Sequence, residues 1–323
     1  MKDLNVKQVT CSITSGGVKI TSNKRYHIKL VVGVAAISFS PLAVKLVSFS
    51  PSVSAFYRSF YAAFFFLLMS LFKYKEDYGV RHCRWLLPSI IAGIFLGIDL
   101  EVWHKTIIFL GAGPATFLGN SQIIFITLFA AFIFREKIPV MYYITVALVM
   151  AGLYLLTPSA TATVGRTVGY LLGLIVGFTY AGMLIGLRYA KSRSAGKYPE
   201  FLSLSTVFSV SALVIALYAV LVEHAALVVW DGRSHAIMMV TAFMCQTLGW
   251  YLINNSITEI PAHEGSLLLM LQPLLATVWG CIFFLEPLGA VQIFGIILTL
   301  AGIIVYQLRY SSKTSGVRLG FEE

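Results

Sequence analysis

Hydrophobic residues form about ten long runs along the chain, separated by short polar segments. Each run is close to the ~20 residues that an α-helix needs to cross ~30 Å of hydrocarbon. The strands of a transmembrane β-barrel would instead alternate in segments of about ten residues. Since only a helix satisfies its own backbone in lipid, we predict spans at roughly 29–47, 53–72, 86–107, 114–134, 139–156, 168–190, 201–222, 236–257, 264–285 and 288–308.

Composition supports this fold class, an all-α polytopic membrane protein. The chain of 323 residues is 58% hydrophobic and only 12% charged, whereas a soluble domain carries about 25% charged residues. Too few charges are present to cover a water-facing surface, which excludes a soluble enzyme. A soluble nucleic-acid-binding protein is excluded too, despite a net charge of +10. We expect a lipid bilayer as the surroundings and no nucleic acid as a partner.

The distribution of lysine and arginine predicts the orientation. An even number of spans places both termini on the same side of the membrane. If that side is the cytoplasm, nearly all basic residues outside the spans are cytoplasmic, and only Arg166 and Arg233 fall in outer loops. This is the positive-inside pattern. We therefore predict cytoplasmic tails at 1–28 and 309–323, with bacterial inner membrane as the location.

An internal repeat relates the two halves of the chain. Gln122–Gly152 and Gln272–Gly302 align with an offset of 150 residues. Both segments read as a long helix, a short turn that contains a glutamate, and a helix that ends in Ala-Gly. The glutamates, Glu136 and Glu286, lie at helix ends, where we expect them to bind backbone amides or basic neighbours.

Each repeat unit contains five predicted spans, over residues 29–157 and 165–308. Because five is odd, the second copy enters the membrane from the opposite side. We therefore predict ten transmembrane helices in two inverted five-helix repeats. This architecture is typical of secondary transporters, in which a site between the halves opens alternately to either side.

Several segments resemble a known family. Asp99–Ile107 (DLEVWHKTI), Phe117–Pro139 (FLGNSQIIFITLFAAFIFREKIP) and Trp250–Leu288 are similar to the two halves of EamA-type carriers, and so is Phe56–Leu68. These carriers belong to the drug/metabolite transporter superfamily, and the resemblance covers nearly all of residues 29–308. It implies a ten-helix transporter but names no substrate, since substrates vary widely across the family. One departure is Ile123, at a position often taken by proline, whereas the second half keeps Gln272-Pro273.

Ionisable residues inside the predicted spans are the first candidates for function, because burying a charge in lipid is costly. Span three contains Asp99, Glu101 and His104. Helical spacing puts Asp99 beside Trp103 and pairs Glu101 with both His104 and Lys105. One interpretation is a substrate-facing or proton-binding acid next to a structural ion pair. The other is a group of side chains that reach the water interface.

Arg58 lies in span two at a depth similar to that of Glu101. It either pairs with an acidic group of span three or binds a carboxylate or phosphate of the substrate. We keep Arg58, Asp99, Glu101 and His104 together as candidates for an ion pair or for proton coupling.

Uncharged polar and aromatic residues in the spans extend the candidate site. Amides can orient a ligand or bind helices together, and aromatic rings can contact a ligand or pack in the core. With Asp99 and Trp103, the candidates for substrate binding are Ser38, Asn120, Gln122, Tyr180, Trp250, Asn254 and Gln272. Pro41 and Pro273 each remove a helical hydrogen bond and are candidate hinges.

Together these features predict a secondary or facilitative transporter that moves a small polar or amphipathic metabolite by alternating access. An amino acid, another metabolite or a drug-like amphiphile would fit. We expect no catalytic residues, no metal and no cofactor, since the chain has no nucleophile, zinc or ATP-binding motif. Protons are a candidate coupling ion, and a monomer or weak dimer is expected. The alternatives are a membrane channel and a receptor or scaffold.

Overall fold

The computed structural model describes residues 21–72, 84–110, 112–136, 138–156, 166–194, 198–257, 259–285 and 287–316. Every regular element within these ranges is helical. The helices follow from the apolar runs, because a backbone without water can satisfy its polar groups only within a helix. Glu286 and the first part of the N-terminal tail lie outside the described residues.

Ten spans succeed one another in the described ranges. Nine are long and apolar enough to cross a membrane, and the remaining one, span 5, is an apolar helix of 17 residues. Spans 1 to 5 are Thr21–Ile37 with Ser40–Leu46, Pro51–Phe72, Leu86–Leu110, Ala112–Gly119 with Gln122–Ile133, and Val140–Leu156. Spans 6 to 10 are Arg166–Ser192, Glu200–Leu221, Gly232–Ile257, Ala262–Leu269 with Leu271–Phe284, and Ala290–Gly316. The predicted transmembrane helices are confirmed.

The contacts between spans reflect the two-repeat architecture. Span 3 packs on span 6, and its counterpart span 8 packs on span 1. In the same way span 7 contacts span 3, while span 2 contacts span 8. Spans 2 and 7, 4 and 9, and 5 and 10 pair with their own counterparts. Exchanging the halves therefore reproduces the same contacts, as expected for inverted repeats.

Three spans are interrupted within their length. Span 1 breaks at Ser38 and Phe39, just before Pro41, and span 9 breaks at Met270, just before Pro273. A proline cannot donate to the preceding turn and clashes with it, which explains both breaks. Span 4 breaks at the matching place, Asn120 and Ser121, although no proline follows. A fourth irregularity, a π-helix over Ala242–Gly249, occupies the centre of span 8.

Spans 5 and 10 pack against each other and cross closely at glycines. A methyl group added at Gly152 would lie 2.7 Å from the carbonyl oxygen of Gly295 and 2.9 Å from the backbone nitrogen of Thr299. Backbone atoms cannot give way as the end of a flexible side chain can. Small residues at such crossings allow the backbones to approach and gain van der Waals contact in lipid.

We expect Gly152→Ala to lower the free energy of unfolding by about 1–3 kcal/mol, because the added methyl forces the two helices apart. The melting temperature of the purified protein in detergent is the measurement. Gly232→Ala is the matched control, since nothing lies within 4 Å of a methyl group placed there. Equal melting temperatures for the two variants would contradict a tight crossing at Gly152.

Candidate functional site

A chain of buried polar contacts links spans 2, 1 and 8. The Arg58 guanidinium donates through Nη1 to the Ser40 hydroxyl at 2.9 Å. The same hydroxyl oxygen accepts from Gln246 Nε2 at 3.5 Å, and Gln246 Oε1 accepts from Trp250 Nε1 at 3.1 Å. Ser40 begins the second helix of span 1, and Gln246 lies in the π-helix of span 8. Two of the irregular segments thus supply polar groups to the chain that begins at Arg58.

Asp99 approaches this chain from span 3. Its side chain is buried, and its Oδ1 accepts from the Thr179 hydroxyl of span 6 at 3.1 Å. Asp99 and Arg58 interact electrostatically, but among the described residues neither forms an ion pair within 4.0 Å. Next to Thr179, the Tyr180 ring packs 6.0 Å from that of Trp250. The Arg58 to Trp250 chain and the Asp99 group define what we call the central site.

Glu101 and His104 belong to a different group of residues, which we call the outer cluster after the orientation predicted from the lysines and arginines. Ser52 donates to Glu101 Oε2 at 2.9 Å, and both Glu101 and His104 are buried. The expected pairing of Lys105 with Glu101 is not formed, because Lys105 binds Glu223 at 2.9 Å instead. Glu223 follows span 7 and competes successfully for the ammonium group. Glu101, the other acid of span 3, therefore belongs to the outer cluster, whereas Asp99 belongs to the central site.

Trp103, the expected neighbour of Asp99, is half-buried, and the centroid of its ring lies 5.3 Å from that of His104.

The side-chain amides near the breaks in spans 4 and 9 differ in their hydrogen bonds and burial. Asn120 Nδ2 donates to the Thr116 carbonyl at 2.8 Å, so this amide serves the break in span 4. Gln122 is buried, and its Oε1 has no hydrogen-bond partner in the described part of the chain. Gln272, its repeat counterpart, is half-buried.

Ser38 connects the break in span 1 to span 9. Its hydroxyl donates to the Ala35 carbonyl at 2.6 Å and accepts from Trp279 Nε1 at 2.8 Å. The Phe39 ring stacks on Trp279 with centroids 4.4 Å apart. These contacts join spans 1 and 9 at the break in span 1, which lies directly before Ser40 of the central site. Pro41 lies within the first turn that follows, and Pro273 lies one turn into the second helix of span 9.

Asn254 lies apart from the central site, at the C-terminal end of span 8. Its Nδ2 donates to Glu200 Oε1 at 2.9 Å, and the neighbouring Asn255 donates to Glu200 Oε2 at 3.2 Å. Lys29 of span 1 in turn donates to Asn255 Oδ1 at 2.9 Å. The structure therefore places Asn254 in a polar network that joins spans 1, 7 and 8 away from the central site.

Glu136 organises a second polar cluster, at the start of span 9. Arg188 of span 6 donates to its Oε1, and the Ala262 backbone N–H, at the start of span 9, donates to its Oε2 at 2.9 Å. His263 Nδ1 lies 3.8 Å from Oε2. Partial burial raises the pKa of Glu136, but the His263, Arg188 and Ala262 contacts together outweigh it and leave the pKa below the usual 4.5. The expected role, binding a backbone amide and a basic neighbour, is confirmed.

The side-chain contacts of three residues in the central site were not anticipated from the sequence. They are those of Ser40, Thr179 and Gln246. Serine and threonine are common in transmembrane helices, where they bond to their own backbone, so they gave no signal. Gln246 was detectable, since an amide in an apolar span is expensive and marks either a helix contact or a ligand site.

Comparison with known proteins agrees with this architecture. One solved crystal structure, described only as that of a protein, superposes with a TM-score of 0.74 at 15% sequence identity, covering 89% of this chain and 98% of that one. The comparison with curated proteins gives no match. The profile of the EamA-like transporter family matches twice, at residues 25–157 and 167–307. The chain therefore belongs to the EamA-like transporter family, within the drug/metabolite transporter superfamily, and is a multi-pass membrane transporter.

Proposed function

We propose that this protein is a secondary or facilitative carrier that moves a small polar or amphipathic metabolite by alternating access through the central site. One observation carries the proposal. Arg58 Nε, the Tyr180 hydroxyl and Gln122 Oε1 are buried without a hydrogen-bond partner in the described residues. A buried polar atom left unsatisfied costs about 1–3 kcal/mol. Arg58 Nε and the Tyr180 hydroxyl both belong to the central site, and such unsatisfied atoms are typical of a site that a polar ligand completes.

Contacts between the two halves of the chain support alternating access. They lie towards both ends of the spans, and we call them closures. On the cytoplasmic side, Glu136 bridges span 6 and span 9, and His27 of span 1 contacts Glu264 of span 9 at 2.8 Å. Towards the outer face, the Phe39 and Trp279 stack joins spans 1 and 9. Both closures connect one half of the chain to the other. A relative movement of the halves would release one closure while keeping the other.

Solute counterflow in proteoliposomes tests the proposal. A thermal-shift panel of amino acids, other carboxylic acids, sugars and organic cations first selects the compound that most stabilises the purified protein. Vesicles loaded with an excess of that compound should then accumulate its labelled form transiently. A carrier gives saturable, trans-stimulated exchange. Continuous current without trans-stimulation would contradict the proposal and favour a channel.

We also propose that both termini are cytoplasmic. A reporter fused after residue 323 should then be active in the cytoplasm, whereas one inserted near Thr163, between the repeats, should be active outside. The measurement is the pair of a periplasmic-active and a cytoplasmic-active reporter enzyme at each position. If the C-terminal fusion reads external, the number of crossings or the orientation is wrong.

A further inference from the structure

Arg58 is a buried cation with few protein partners. Its side chain is only 6% exposed. A guanidinium has five N–H donors and cannot be deprotonated in proteins. Ser40 is the one described acceptor, and Nε is buried with no partner in the described residues. A neutral hydroxyl does not compensate the charge, and Asp99, the carboxylate that interacts with Arg58 electrostatically, forms no ion pair with it within 4.0 Å in the described residues. A buried charge without direct compensation is destabilising, so an anion in contact with the guanidinium would stabilise it.

The nearby acids are engaged elsewhere. Asp99 accepts from Thr179, and Glu101 accepts from Ser52 in the outer cluster. Neither forms an ion pair with Arg58 within 4.0 Å in the described part of the chain. The alternative of a structural salt bridge to span 3 is therefore not realised, and the guanidinium remains available to a ligand.

The contacts at Nη1 hold the Arg58 guanidinium in place. Ser40 is fixed by the start of the second helix of span 1 and by Gln246, which is itself held by Trp250. With Nη1 engaged by Ser40, the Nε edge is left for a planar acceptor. Paired N–H groups on a guanidinium edge match the two oxygens of a carboxylate.

We propose that Arg58 anchors a carboxylate group of the transported molecule. The inference rests on the proposed transport function and gives it a substrate class, organic acids with a free carboxylate. A single carboxylate matches the site better than a phosphate dianion. The groups that interact electrostatically with Arg58 are Asp99, Cys245 and His104, and none of them adds a second permanent positive charge.

Binding of matched acid and amide probes tests this anchor. Thermal shift and calorimetry on the purified full chain would compare amino, hydroxy, keto and fatty acids with their primary amides, alongside inorganic phosphate. We expect stabilisation only by compounds with a free carboxylate. For the best acid, Arg58→Gln should weaken binding roughly 10- to 100-fold, as for loss of a hydrogen bond to a charged group. Arg58→Lys should retain part of the affinity, because the charge remains without the planar edge.

Two controls keep the result interpretable. Thr145→Val removes a buried hydroxyl whose hydrogen bond, among the described residues, is to Met141 O of its own helix, and should leave binding unchanged. Variants are compared only at matched monodispersity in detergent. An amide that binds as well as its acid, tighter binding of phosphate, no stabilising carboxylate at all, or unaltered acid binding in Arg58→Gln would each overturn the anchor.

The carboxylate anchor and the transport function can be refuted independently of each other. If the wild-type protein exchanges a neutral or cationic solute and Arg58→Gln exchanges it equally well, the carrier stands and the anchor is wrong. If acids bind through Arg58 but give no counterflow in wild-type vesicles, the anchor stands and the carrier proposal fails.

Discussion

Replacing Asp99 by asparagine is expected to reduce transport roughly 10- to 100-fold while the protein still folds and reaches the membrane. An amide oxygen can still accept from Thr179, so the bond to span 6 is retained. The loss arises because the amide can carry neither the negative charge nor the proton of the carboxyl group, and an interaction with a charged group is worth about 1.5–3 kcal/mol. Initial rates of counterflow, normalised to reconstituted protein, measure the effect.

The pH dependence of this variant separates two roles for the carboxylate. If Asp99 carries a proton, the variant should lose pH-driven accumulation and keep exchange. If it balances Arg58, reversing both charges should restore part of the activity. Glu101→Gln is the matched control, with the same chemical change two residues along the helix in the outer cluster, and should have a smaller effect. Full activity with unchanged pH dependence in Asp99→Asn would exclude both roles.

Glu136→Gln should destabilise the protein by about 2 kcal/mol, because the charged acceptor for Arg188 and for the Ala262 N–H is lost. The sign of the pH effect follows from its lowered pKa. A carboxyl whose pKa is lower in the folded state contributes stability that is complete above its unfolded value. That contribution disappears as the pH falls through the folded value. The difference between wild type and variant should therefore be constant near neutral pH and shrink below 4.5.

Melting temperatures of the two proteins across this range are the measurement. Glu259→Gln is a control at a nearby position, three residues before Ala262. Glu259 contacts Lys191 at 3.3 Å with 39% of its side chain exposed. Exposed pairs of this kind are worth about 0–1 kcal/mol. A difference between wild type and Glu136→Gln that widens in acid would contradict the assignment of the lowered pKa.

The helices could be predicted from the sequence because crossing a bilayer demands a minimum apolar length. Span 3, for example, was expected at 86–107 and runs over Leu86–Leu110. Two of the interruptions were signalled by Pro41 and Pro273. The break at Asn120 and the π-helix at Ala242–Gly249 were not, because they depend on side-chain hydrogen bonds and packing between spans rather than on a residue type.

The central site was harder to predict, because helical spacing identifies neighbours on one helix only. Glu101 and Lys105 share a helix face, yet Lys105 binds Glu223, which is 118 residues away. Gln246 reaches Ser40 across 206 residues. The intramembrane charges Arg58 and Asp99 were found because their cost makes them conspicuous. Their actual partners, Ser40 and Thr179, required the structure.

The π-helix of span 8 also makes the two halves chemically unequal. Its counterpart in the first half, span 3, is a continuous α-helix over Leu86–Leu110. A carrier with two identical halves would have inward- and outward-facing states of equal free energy. In the proposed carrier we therefore expect those states to differ in free energy, so the half-saturating substrate concentration should differ between the two faces of the membrane. For uncoupled transport the ratio of maximal rate to that concentration must still be the same in both directions, since a passive carrier cannot shift an equilibrium.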